Sequence, residues 1–508
     1  MSLSTALNIL NSAFVSNAAQ SAVIASNVSN ASTKGYSREI ANVITSYSGG
    51  SQVVSVTREA DAPLLAQVNT STSQAAYQQA LSDGLTTLAN TVSDSSSATS
   101  ASGAETNGNS PSAMLANLQS ALETYDASPS STAAGQGVVT AAQDLASSLN
   151  AGAAAVYSVQ EQADSDMASS VATINSLLGQ FTSVNATIVA GTTTGADVSS
   201  AEDTRDSILT QLSQQIGVST VSNPDGSTSI YTDSGVTLFQ GGQANTLTFT
   251  PTSTYTDGMT GNAVMVDGVP ITPATVDGEP VAGSAPMAIK SGALAGYADL
   301  RDQVAPTYGA QLDQIADGLI SGFAESDQTG GGNPTLPGLF ISASAPGMPS
   351  DATGLASEIE VNAAVDPSQG GDVNLLRDGG INNTAQNNDA YTYNTDGGAS
   401  YTGRIEQMIN ALTIQPVSAA AGLGASDSLS DYANNSVSWL QSQNQTASNQ
   451  LDYENSVVSQ ATTALSNATG VNLDTELTNM LSIENSYTTT AKLLTTTNDM
   501  LDSLINAV

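Results

Sequence analysis

Counting alternately four and three residues from Leu473 gives Leu473, Leu477, Met480, Glu484, Tyr487, Ala491, Leu494, Asn498, Leu501, Ile505 and Val508, and nine of these eleven are apolar. That is the spacing of a coiled-coil seam. A continuous helix over this stretch is roughly 50 Å long. Its apolar stripe runs to the final residue, with no Gly or Pro to stop it. A stripe of this kind needs a partner helix, because helices in proteins are held mainly by the packing of their apolar face. The same count from the other end gives Leu3, Leu7, Leu10, Phe14, Asn17, Ser21, Ile24 and Val28, six of eight apolar. One such stripe alone fits half of an ordinary intramolecular helix pair. Two of them, at opposite ends, predict that the termini pair and that the middle of the chain is a long excursion.

Composition narrows the chemistry. The 508 residues exceed what one hydrophobic core usually supports. Charged residues make up 11%, far below the usual quarter. The net charge is -37, with only nine Lys and Arg together. Phosphate contacts need Lys or Arg, so this balance argues against nucleic acid and anionic membranes as partners. With no Cys and no His, there is no thiol nucleophile, no Ser-His-Asp triad, no imidazole base and no His- or Cys-ligated zinc. Carboxylate dyads and oxygen-ligated calcium remain open. No run of eighteen apolar residues predicts a membrane span. The N-terminal stretch also lacks the basic and apolar regions of a cleaved signal, so export would use another route.

Along the chain, the first helix is predicted to start after Ser2 or Ser4 and to end near Asn30, where turn formers and Gly35 follow. Gln52 to Arg58 reads as a strand. Helical patterns follow from Ala62 to about Asn90, and from Pro111 to Tyr125, with a Ser/Ala/Gly/Asn linker at 93–110 between them. A long helix carries Met167, Val171, Ile174, Leu178, Phe181, Asn185 and Ile188 in heptad register, and one more helix lies within 197–216. At Gly217 the period changes to that of strands, and Asp267-Gly268 gives the strongest hairpin signal. Aspartates in these turns are better explained by turn chemistry than by calcium, since none fits the twelve-residue calcium loop. Helix resumes from Ser291 to about Asp327, where Pro306 should bend or divide it. Residues 328–400 are rich in Gly, Pro, Asn and Asp, with strand candidates at 339–341 and 359–361. Beyond Arg404 the pattern is helical almost to the end, and Trp439 within it reads as a core residue.

The fold class expected is therefore α+β, multidomain and mainly α. Paired N- and C-terminal coiled-coil helices (1–38 and 472–508) carry a helical-bundle domain (39–216, 287–328 and 401–471). An antiparallel β-rich, loop-rich outer domain (217–286 and 329–400) is inserted into it. The candidate assembly interface is the pair of stripes: Leu3, Leu7, Leu10, Phe14, Ile24 and Val28 with Leu473, Leu477, Met480, Tyr487, Leu494, Leu501, Ile505 and Val508.

The run from Ser26 to Arg38 contains Asn27, Asn30, Thr33, Gly35, Tyr36, Ser37 and Arg38. It resembles the Asn-x-x-Asn…Thr-x-Gly-Tyr-Ser-Arg signature of flagellar rod, hook and hook-associated proteins. The opening residues 1–9, the endings 482–487, 491–493 and 500–504, and the internal stretches Asp203-Thr204-Arg205-Asp206 and 296–302 are similar to the flagellar hook-associated protein 1 family. This resemblance implies a structural protein of the bacterial flagellum that joins hook to filament. It implies type III export without a cleaved signal, an export chaperone at the C-terminal helix, and assembly into a ring. Hook protein and a second hook-associated junction protein would be its neighbours. It implies no cofactor, no nucleic acid, no membrane insertion and no enzymatic activity. Another axial protein is the nearer alternative. A carboxylate-dependent peptidoglycan hydrolase is the alternative of a different class, with Glu123 and Asp126, or Glu161 and Asp164, as candidate pairs. Their spacing is equally that of solvated charge on a helix surface.

Overall fold

The computed structural model describes all residues except 1–2, 47–48, 93–107, 260, 273–274, 277–278, 281–284, 286, 346, 388 and 507–508. Ser2, Val508 and most of the expected linker at 93–110 lie outside the described residues. The ends of the chain do pair. Helix α1 (Leu3–Asn30) runs antiparallel to α12 (Leu473–Ile505), with the Phe14 and Tyr487 rings edge-on at 4.9 Å. The Asn17 carboxamide nitrogen donates to Ser486 Oγ at 3.1 Å in the same seam. A hairpin of β1 (Glu39–Thr45) and β2 (Ser51–Arg58) lies along α1, and Gly49 and Gly50 at its turn pack against Ile9 and Ser12. Only the second strand was legible. In the first, a bulge at Asn42/Val43 breaks the alternation that marks a strand.

Between the paired ends lie two hydrophobic cores threaded on one helix. That helix, α4 (Thr132–Thr194), is roughly 95 Å long. Its first half packs in a core with α2 (Ala62–Ala89) and α3 (Pro111–Ala127). Its second half, Met167 to Phe181, packs with α5 (Ser199–Gln215). Side-chain caps explain the starts: Asp61 accepts from Leu64 N, Ser110 from Ala113 N, and Ser131 from Ala134 N. Gly195, at φ 73°, ends α4 in the left-handed conformation that glycine adopts without strain.

The second core is roofed by short antiparallel strands. β3 (Val218–Ser222), β4 (Thr228–Thr232), β5 (Thr237–Gln240) and β6 (Gln243–Ala244) form one sheet in sequence order. β7 (Leu247–Thr248), β8 (Met265–Val266) and β9 (Val269–Pro270) form another, and β10 (Thr275–Val276) pairs with β11 (Glu279–Pro280). Asp267 and Gly268, at φ 48° and 77°, make the expected tight turn between β8 and β9. Phe239 on β5 meets Phe181 on α4 edge-on at 4.9 Å.

The segment after this β module returns to the first core. The helical stretch expected at 291–327 is one continuous rod: α6 (Ala293–Asp299), a π turn at Leu300–Val304, and α7 (Ala305–Gly322). Pro306 does not divide it. The wide turn, in which Ala305 N donates to Leu300 O, accommodates the backbone donor that proline lacks. Next come β12 (Phe340–Ser342), α8 (Leu355–Glu358), β13 (Ile359–Val361) and α9 (Leu375–Asp378). β12 and β13 pair as the two strand candidates suggested, and Phe340 meets Phe323 edge-on at 5.3 Å. Residues 217–286 and 329–400, grouped in the sequence reading as one outer domain, thus bury their apolar side chains in different cores. The last helical region is split: α10 (Gly403–Thr413), a non-helical passage at 414–428 containing Pro416, and α11 (Leu429–Thr469), which runs along α2. Trp439 on α11 is half-buried against the first core.

Where the cores meet, Arg301 is fully buried. Its guanidinium contacts Asp164 on α4 at 2.5 Å and Asp302 at 2.6 Å, and donates to Asn262 O at 3.0 Å. The other Asp164 oxygen accepts from Thr252 N at 2.5 Å. Removing one partner of a buried pair leaves an uncompensated charge. Asp164→Ala is therefore expected to lower stability by about 3 to 5 kcal/mol in urea denaturation.

Candidate assembly arm and its joint

The face of α12 turned to α1 is Glu476, Met480, Ile483, Tyr487, Thr490, Leu494, Thr497 and Leu501, again at four-and-three spacing. Met480, Tyr487, Leu494 and Leu501 were on the predicted stripe. Other predicted positions turn away from α1: Leu473, Leu477 and Ile505 are 47%, 55% and 65% exposed. The apolar sector of α12 is three heptad columns wide, and one partner helix covers two. On α1, Leu10 and Ile24 are buried, Leu3, Leu7 and Phe14 are half-buried, and Val28 is exposed. The seam within the chain is thus partly polar, with Asn17, Glu476, Thr490 and Thr497 buried in it, while leucines of α12 face outward.

The motif at 27–38 forms the joint at the base of this arm. Asn27 is buried at the last turn of α1, and its carboxamide takes both backbone groups of Glu39. Its oxygen accepts from Glu39 N at 2.9 Å and from Tyr36 Oη at 2.9 Å, while its nitrogen donates to Glu39 O at 2.9 Å. Asn30 donates to Ser26 O at 3.0 Å. Gly35 sits at φ 82° with open space around it, so its role is conformational. Ser37 N donates to Asp203 on α5 at 2.9 Å. Arg38 reaches α12 through Glu476 at 2.6 Å, and its backbone N donates to Thr469 O of α11 at 2.8 Å. Of the six motif positions, Asn27, Tyr36, Ser37 and Arg38 make the contacts that fasten α1, the hairpin, α5, α11 and α12 to one another.

Arg58 completes the joint from β2. It holds Glu202 at 2.9 Å, Asp203 at 2.8 Å and Asp206 at 2.7 Å. Burial raises the Asp206 carboxyl above its ordinary value, against the pull of Arg58. Glu39 is also raised, first by burial and then by Asp197 and Asp203. Arg205 is lowered by burial and donates to Gly226 O at 2.9 Å, tying α5 to the β3–β4 turn. Sequence reasoning marked Asp203 to Asp206 as a family-like stretch but did not connect it with the motif. The available signal was density: four charged residues lie among 202–206 in a chain that is 11% charged.

The carboxylate pairs are placed differently from a catalytic dyad. Glu123 is exposed and accepts from Gln119 at 2.8 Å. Asp126 is raised by burial, then by Glu406. Asp164 is committed to Arg301, and Glu161 accepts from Tyr255 N at 3.3 Å. Among the described residues, no group of three His, Cys, Asp or Glu is arranged to hold a metal ion, and no helix is long and apolar enough to cross a membrane.

Residues 102–336 match the family model of the flagellar hook-associated protein FlgK helical domain. Residues 464–507, the end of α11 and the arm, match that of the flagellar basal body rod FlgEFG protein C-terminal region. Both matches support a relation to the flagellar hook-associated protein 1 family. No curated protein matches the sequence. Among solved structures, it is similar to the flagellar hook junction protein FlgK from Burkholderia pseudomallei, at 23% identity and a TM-score of 0.39. That match covers 55% of this chain and 46% of the relative, so it spans less than half the relative's length.

Asn27→Ala removes three hydrogen bonds from the joint. The expected cost is about 1 to 3 kcal/mol of local stability. It should be read as faster hydrogen exchange at 36–41, with the α4 segment 132–163 unchanged.

Proposed function

We propose that this chain is a subunit of a ring joining hook to filament, and that it assembles through the uncovered columns of α12. The observation that carries the reading is the pair of flanks beside the intrachain seam. One flank carries Leu477, Leu481 and Ile505, all more than half exposed, together with Asp474, Glu484 and Asp502. The other carries Leu493 and Met500, also exposed, among Asn479, Ser482, Ser486, Thr489, Thr496 and Ser503, with no charge. Two copies joined through the acidic flank would set carboxylate against carboxylate. Unlike flanks bury leucine without that repulsion, and a contact between unlike surfaces generates rings or helical tubes. The seam inside the subunit is hydroxyl-lined and therefore weak, which suits an arm that orders fully only against its neighbours.

The family resemblance supplies the setting: export through the flagellar type III channel, a chaperone covering the C-terminal helix beforehand, and hook protein and the second junction protein as axial neighbours. The absence of cysteine is compatible with passage as an unfolded chain, since no disulfide needs to form afterwards.

Truncation after Gly470 is the direct test. The two cores are expected to stay folded, hooks to go uncapped, and filament protein to be shed into the medium. Normal filaments would overturn the reading. The double variant Leu477→Asp with Leu481→Asp alters neither core and is expected to abolish self-association in sedimentation while keeping the helix content of the unaltered chain.

A further inference from the structure

A cavity of about 110 Å³ lies between the cores, walled by Val156, Tyr157 and Gln160 of α4, by Arg301 and Asp302, and by Thr353. Two carboxylates close one side of it. Asp313 on α7 accepts from Gly354 N and Ala356 N, both at 2.9 Å, and so caps the short helix α8 from another element. Asp257, in the loop between β7 and β8, receives the Tyr157 hydroxyl and lies against the Cα of Gly354. Gly354, at φ 82°, has no side chain to separate them. Asp351 and Glu358 add negative charge from the same segment. The nearby cation, Arg301, is held by Asp164 and Asp302, and Glu161 faces Tyr255 N. Among the described residues neither Asp257 nor Asp313 has an ion-pair partner.

We propose that this crevice is an acid-tightened latch, in which Asp257 and Asp313, brought together at Gly354, loosen the 250–259 segment at neutral pH and hold it once one of them is protonated. The direction follows from the environment. Asp313 is pushed up to about 6, first by burial and then by Asp257 and Asp351, while its two backbone donors pull the other way. Asp257 is raised by burial and by Glu358. A carboxyl whose folded value lies above its unfolded value binds protons better when folded. The stabilisation is therefore absent well above pH 6, grows as pH falls through 6, and is complete near pH 4. In consequence, the β module would dock more firmly on the bundle in mildly acidic surroundings than in neutral ones.

Hydrogen exchange of the full chain tests this at pH 7.5 and pH 5, with rates corrected for the intrinsic effect of pH. Peptides covering 250–259 and 351–358 are expected to gain about tenfold in protection at pH 5, while peptides from the α2–α11 pair stay constant. Asp313→Asn, which keeps an acceptor and removes the charge, should hold the loop equally at both pH values. Protection that changes less than twofold in the unaltered chain, or a full change retained in Asp313→Asn, overturns the latch. Should Asp313→Asn fail to fold, Asp257→Asn is expected to reduce the change without removing it, since burial still raises Asp313, and an undiminished change overturns the latch.

Discussion

The Arg58 guanidinium, held by Glu202, Asp203 and Asp206, shows how this chain uses positive charge. There are 46 acidic residues and nine cations, so the cations are too few to pair with most carboxylates. Most of the arginines serve joints. Arg38 and Arg58 fix the arm to the bundle, and Arg205 ties α5 to the first sheet. Arg301 locks the two cores, Arg377 reaches Pro129 O across the first core, and Arg404 holds the carbonyls at the end of α7 while stacking on Tyr393 at 4.7 Å. Arg377 and Arg404 act within the first core, where they supplement apolar packing. Between modules, where less apolar surface is available, a planar fork of donors fixes relative orientation.

The same scarcity shapes the arm. Residues 3–30 contain no charged side chain at all, so α1 meets α12 and the hairpin without electrostatic cost. Orientation there comes from amides instead. Asn17 sits in the seam opposite Ser486, a polar position of the kind that fixes register at some expense of stability. Asn27 fixes the chain's exit from α1 by taking both backbone groups of Glu39. An amide at each of these places specifies geometry that leucine, packing in many ways, would leave open.

Much of this was legible because long periods are robust. The stripes of α1, α4 and α12 survive in the sequence, as does the Asp267-Gly268 turn. What was lost depends on partners distant in sequence. The register of α12 could not be read, because Leu477 and Ile483 are equally apolar and only the position of α1 decides between them. The strand β1 hid behind its bulge, and the passage 414–428 behind its neighbouring helices. The two loop-rich segments look alike in composition, yet one returns to pack on α4 and α7 through Phe340 and Ile359. For the joint, the Gly-Tyr-Ser-Arg residues were visible as a motif, but Asp203 and Glu476 lie 166 and 438 residues away from their partners.

The placement of threonine and leucine on α12 argues for an arm selected for something other than monomer stability. Thr490 and Thr497 occupy the buried seam, where leucine would contribute more apolar burial, while Leu477, Leu481 and Leu493 stand in water. Exchanging the two sets would give a firmer intrachain pair and a helix with nothing left to offer a neighbour. The observed arrangement weakens the monomer at the place where it leaves apolar surface free. Its threonine hydroxyls are satisfied within the helix, by Ser486 O and Leu493 O at 2.8 and 2.7 Å, so they do not anchor α1 in return. An arm built this way is held in position by its joint and by few apolar contacts, and it has most to gain from a partner that meets its flanks.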